Sequence, residues 1–143
     1  MIELAGKVMA SDRQIIIESE HSRFSTGLIE SKYPDWQRVT PRDFTGTAAF
    51  DADDFLSAIK TVQLGGEQAK MIFSDGQVLI QNANAEAVCE CQIDAEVEAA
   101  FNLQYVADAI QAAGKAEITM QIGSGARGSS LINGRFIVMP VRF

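Results

Sequence analysis

The apolar positions of this chain follow two alternating periods. Phe55, Ile59 and Val62 recur at the spacing of one helix face, and Leu103, Val106 and Ile110 repeat that spacing further along. After the first of these helices the pattern shortens to strands over Lys70–Ser74, Val78–Gln81 and Val88–Ile93. After the second it does so over Ala116–Ile122, Ser129–Ile132 and Phe136–Met139. Asp75-Gly76 and Asn133-Gly134 are tight hairpin turns, because both positions of such a turn need a positive φ. Gly65-Gly66 and Gly114 are helix stops.

The two patterned blocks are copies of one another. Ala48-Ala49-Phe50-Asp51 recurs as Ala99-Ala100-Phe101-Asn102, and at the same offset Phe55 matches Val106, Ala58 matches Ala109 and Ile59 matches Ile110. Asp51 and Asn102 stand where a helix begins, and their side chains are suited to accept from its first free N–H groups. Each block therefore reads as a β-α-β-β-β unit. The expected class is α+β, with helices on one face of antiparallel sheets.

Upstream the pattern is shorter. Ile2, Ala5 and Met9 predict a helical face over Ile2–Met9, Ser11-Asp12 a turn, and Ile15–Ile17 and Arg23–Ile29 strands. Pro34 and Pro41 bracket an extended stretch. The expected organisation is a truncated half-domain over 1–31, a linker over 32–43 and a complete two-unit domain over 44–143.

With 143 residues, 47% of them apolar and 22% charged, the chain can build a core and is not of disordered composition. No apolar run is long enough for a membrane span and no signal-peptide pattern opens the chain, so a soluble cytoplasmic protein is expected. The net charge of −7 argues against a general nucleic-acid binder. A sum cannot see a basic face on an otherwise acidic body, however.

Candidate chemistry is sparse. Cys89 and Cys91 stand two apart in a predicted strand, too splayed to bridge easily, and His21 is the only histidine. Reduced, buried thiols follow, with no metal, no cofactor and no catalysis expected. Gly123-Ser124-Gly125-Ala126-Arg127-Gly128 matches G-x-G-x-x-G, but a strand rather than a helix is predicted after it, so it reads as a loop. Asp51, Asp53 and Asp54 read as cap and helix-dipole residues. His21 reads as an exposed turn residue.

Three short motifs add a resemblance. Lys32-Tyr33-Pro34-Asp35-Trp36-Gln37-Arg38-Val39-Thr40-Pro41 resembles the connector between the second and third domains of bacterial DNA polymerase sliding clamps. Phe101-Asn102-Leu103-Gln104-Tyr105 resembles that family's Phe-Asn-x-x-Tyr helix start, and Val138-Met139-Pro140-Val141-Arg142-Phe143 its closing segment. Ile2-Glu3-Leu4 is similar to the start of the last helix of the second domain. The motifs occur in family order and cover essentially the whole chain, which leaves out the first domain and half of the second.

The resemblance implies a clamp fold, a ring of such domains with helices toward the hole, and a non-catalytic role as a processivity factor or platform in DNA replication or repair. It implies a cleft for short linear motifs of DNA polymerase and clamp-loader subunits. The matching residues are Pro34, Arg38 and Val39, then Asn102 and Tyr105, then Val138, Met139, Pro140, Val141 and Arg142. Apolar Met and Pro walls suit aliphatic or aromatic anchors, while Arg, Asn and Tyr suit a peptide backbone. Lys7, Lys60 and Lys115 are the DNA-facing candidates, too few for more than weak, non-specific contact with duplex DNA. Because the half-domain has no partner unit in the chain, a homo-oligomer is expected. The alternative is a ring-less peptide-binding module that competes for, or regulates, clamp-binding partners.

Overall fold

The computed structural model describes residues 6–31, 35, 37, 40–123 and 128–142. The chain divides into two compact units, Met1–Asp35 and Trp36–Phe143.

The first unit is an antiparallel meander of β1 (Lys7–Ala10), β2 (Gln14–Glu18) and β3 (Arg23–Gly27), in the order β1-β2-β3. Serines shape its turns: the Ser11 hydroxyl accepts from Gln14 N–H at 3.2 Å, and the Ser19 hydroxyl from Ser22 N–H at 3.2 Å. The helix expected over Ile2–Met9 is not found where the structure describes it, because Lys7–Ala10 is a strand; Ile2 and Ala5 lie outside the described residues. Three apolar positions make a weak helical signal. The competing arrangement pairs Val8 with Ile17, and Met9 with Ile16, against a partner strand of three β-branched residues, Ile15–Ile17.

The pairing sorts the side chains onto two faces. Val8, Ile17 and Phe24 form one row and Ala10, Ile15 and Thr26 another on the same face. The opposite face carries the row Lys7, Glu18 and Arg23. No described side chain of this unit is buried.

The second unit holds both repeats. The first repeat runs β4 (Phe44–Asp51), α1 (Ala52–Gln63), β5 (Gln68–Ser74), β6 (Gln77–Gln81), β7 (Glu86–Glu90) and β8 (Gln92–Ile93). The second runs β9 (Val97–Asn102), α2 (Leu103–Ala113), β10 (Glu117–Gly123), β11 (Ser130–Ile132) and β12 (Phe136–Val138). The repeats exchange their first strands. β4 pairs with β10 in the sheet β12-β11-β10-β4-β8, and β9 pairs with β5 in the sheet β7-β6-β5-β9.

The helices form where the caps require. Asp51 Oδ1 accepts from Asp53 N–H at 2.9 Å and Asp54 N–H at 3.1 Å, and Asn102 Oδ1 from Gln104 N–H at 3.0 Å and Tyr105 N–H at 3.3 Å. Gly114 closes α2 in the left-handed conformation. Phe55, Ile59 and Val62 of α1 and Leu103, Val106 and Ile110 of α2 are buried together with Met71, Phe73, Ile80, Ile118, Met120 and Ile122 from the sheets. The Phe50 ring stacks on Phe55 with centroids 3.9 Å apart, joining β4 to α1.

One expected strand is two. Val88–Ile93 breaks at Cys91: Glu90 still pairs with Gln77 in one sheet, whereas Gln92 and Ile93 pair with Ala49 and Ala48 in the other. Cys91 sits at the crossing, its N–H donating to Gly76 O at 2.9 Å. Alternation of apolar residues cannot reveal such a change of sheet, since both pieces remain extended.

Candidate partner-binding cleft

The second unit ends in an edge strand, β12, followed by the segment from Met139 onward. Val138 is buried and fixes the start of that segment. Val141 N–H donates to Ala100 O at 2.8 Å, tying it beside β9. Pro140 between them has no N–H to give. The segment is thereby held along the start of α2, which the Asn102 cap positions. On the first turns of α2, Val106 and Ala107 point inward, and Tyr105 is left 64% exposed.

Between these pieces lies a cleft of about 540 Å³ lined by Tyr105, Ala109, Arg135, Phe136, Ile137, Val138 and Met139. Met139 is 53% exposed at its rim. The Arg135 guanidinium lies 5.5 Å from the centroid of the Phe136 ring. An apolar trough with a phenol on one wall and a guanidinium on another can bury an apolar anchor and hydrogen-bond the chain that carries it.

Of the residues the motifs singled out, Tyr105, Val138 and Met139 meet in this cleft. Asn102 stands at the α2 start with its carbonyl oxygen engaged by the helix. Pro140 and Val141 are half-buried and Arg142 is exposed along the closing segment. Pro34, Arg38 and Val39 lie outside the described residues. Ala109, Arg135, Phe136 and Ile137 escaped the motif reading. Ala109 was within reach of it, being four residues after Tyr105 on one helix face. The other three precede the closing motif on β12 and its turn.

The lysines do not form one set. Lys60 is exposed in the last turn of α1, and Lys115 is exposed just beyond α2. Lys7 falls within the helix expected over Ile2–Met9, but it is on β1 and so shares no helix position with Lys60. Its strand pairing places it in a row with Glu18 and Arg23.

A second concavity, of about 530 Å³, is lined by Asp51, Asp54, Glu90 and Glu117 together with Cys91. Cys89 and Cys91 are free and buried. Burial, then the negative charges of Asp54, Cys91, Asp51 and Glu90, push the Cys89 thiol up to about 11, and burial raises Cys91. Both stay protonated at neutral pH, the form least suited to attack or metal ligation. Among the described residues no group of three His, Cys, Asp or Glu could hold a metal, and no helix is long and apolar enough to cross a membrane. The glycine-rich loop is flanked by strands β10 and β11; its residues 124–127 lie outside the described ones.

No protein-family model matches the chain. Among curated proteins it is 28% identical to the beta sliding clamp of Pseudomonas aeruginosa over 167 aligned positions, covering 99% of this chain and 45% of that protein. It is 24% identical to that of Streptococcus pneumoniae over 138, covering 88% of this chain and 36% of that protein. The chain thus spans less than half the length of these relatives. Among solved structures, the sliding clamp of Pseudomonas aeruginosa bound to griselimycin matches with a TM-score of 0.74 at 20% identity, over 95% of this chain and 41% of that one. In sequence and in fold the chain is similar to the bacterial beta sliding clamp, the beta subunit of DNA polymerase III, along most of its own length.

Proposed function

We propose that the chain acts as a sliding-clamp-type processivity factor or platform in DNA replication or repair. In this reading it is a cytoplasmic protein with no catalysis of its own, which keeps DNA polymerase, clamp-loader subunits or similar partners on DNA. The observation that carries the reading is the cleft of Tyr105, Val138 and Met139 within a clamp fold. Partners reach it through short linear motifs whose aliphatic or aromatic residue fills the trough. A clamp of the same fold binds griselimycin, which supports a ligand-accepting surface on this architecture.

The apolar row Val8, Ile17 and Phe24 supports self-association, since Val8 and Phe24 are 64% and 57% exposed. Contact with duplex DNA is weak and salt-sensitive in this reading, resting on Lys60 and Lys115 more than on Lys7.

A second reading is a ring-less module that competes for clamp-binding peptides. The strand position of Lys7 favours it, because it removes one of the lysines assigned to a helix lining a DNA channel.

Titration of the full chain with a fluorescent peptide bearing an aliphatic-aromatic pair tests what both readings share. Micromolar or weaker binding, lost in Tyr105→Ala and Met139→Ala, is expected; no binding at any concentration overturns both. Sedimentation with a shape measurement separates them. An assembly with a hole wide enough for duplex DNA supports the tether, and a compact monomer supports the module.

A further inference from the structure

Among the described residues, Arg135 is the one charged side chain lining the cleft. It lies outside the three motifs, and its backbone is held by a tight turn. It follows the Asn133-Gly134 turn, whose φ values of 49° and 66° set a tight hairpin, and its N–H donates to Ile132 O at 3.0 Å. Asn133 anchors that turn to the neighbouring strand twice: its N–H donates to Thr119 O at 2.8 Å, and its Oδ1 accepts from Thr119 N–H at 2.8 Å. The guanidinium then lies over the Phe136 ring, within the range of a cation–π contact. Among the described residues no carboxylate pairs with it.

An exposed guanidinium that rests on an aromatic face and has no acidic partner among the described residues is prepared for one. Its planar fork takes a carboxylate through two parallel hydrogen bonds. The remainder of the trough, Ala109, Phe136, Ile137, Val138 and Met139, offers no other charge, and the chain as a whole carries −7. A negatively charged segment is disfavoured by that overall charge and compensated at this place.

We infer that Arg135 is a specificity-determining residue of the cleft, and that the favoured occupant is an extended peptide with an Asp or Glu side chain beside its apolar anchor. The inference rests on the reading of the cleft as a peptide site. The anchor supplies most of the affinity, and Arg135 selects among anchors by the charge that accompanies them.

Two fluorescent peptides that differ only in Glu or Gln next to a Phe anchor, titrated into the full chain, test this. The Glu peptide binds about threefold tighter at low salt, the range of a solvent-exposed ion pair, and the advantage shrinks as salt is added. Arg135→Gln removes the advantage, lowering the affinity for the Glu peptide by more than it changes that for the Gln peptide, so that the two peptides bind alike. Equal affinities for the two peptides on the unaltered chain, or a preference that survives in Arg135→Gln, overturn the inference while leaving the cleft as a peptide site. Failure of both peptides to bind overturns the peptide reading and the inference with it.

Discussion

The two units of this chain are built from similar strands and differ in what covers them. In the second unit, α1 and α2 lie against the sheets and bury Phe55, Ile59, Leu103 and Ile110 completely or nearly so. In the first, the β1-β2-β3 meander has an apolar face on which Ile15 and Ile17 are half-buried while Val8 and Phe24 are more than half exposed, and no described side chain is buried. Three strands with a face that exposed among the described residues are at the lower limit of independent stability. The lesson is that strand pairing organises side chains into faces, and that stability follows only when a face is buried.

The largest effect should come from the covered unit. Phe55→Ala removes a wholly buried ring that also stacks on Phe50, and should cost about 3–5 kcal/mol in denaturant unfolding. The buried thiols give a second handle on the same unit. Cys89 is raised from 9.0 to about 11 in the folded chain, so the folded state holds its proton where the unfolded chain has lost it. Stability from this group is therefore full below pH 9 and falls as pH rises toward 11, by on the order of 2 kcal/mol. Unfolding curves across that window should show the decline, and Cys89→Ala should flatten it.

Smaller still, Asp51→Ala and Asn102→Ala each remove a cap and should cost about 1 kcal/mol, read as a shift of the unfolding midpoint. At the bottom, Phe24→Ala in the uncovered unit should change stability by no more than about 0.5 kcal/mol at low protein concentration. A loss comparable with that of Phe55→Ala already at low protein concentration would break the contrast, whereas a loss that appears only as concentration rises would reflect the second chain proposed on the apolar face.

Much of this was legible from residue patterns, for reasons that can be located. The caps were visible because Asp51 and Asn102 each precede a helical apolar period and are separated from it by no competing signal. The hairpins were visible because Asp75 and Asn133, with the glycines after them, are residue types that tolerate positive φ. The strand at Lys7–Ala10 was missed because its preference comes from the Ile15–Ile17 partner strand, a tertiary effect that a local period does not contain.

The exchange of β4 and β9 between sheets was hidden for the same reason, as was the break at Cys91. The cleft was legible in its closing segment, through Val138 and Met139, and on α2 through Tyr105. Arg135 and Phe136 were not, because their place in it depends on the hairpin bringing the start of β12 beside Ala109.

The central claim is that partners dock in the trough between α2 and the closing segment. Backbone hydrogen exchange of the full chain, with and without a saturating aliphatic-aromatic peptide, tests it most directly. The account predicts slower exchange on binding in Phe136–Met139 and at the α2 positions around Tyr105 and Ala109, with α1 and β5–β7 unchanged. Binding that leaves those amides untouched and protects another part of the chain would contradict it.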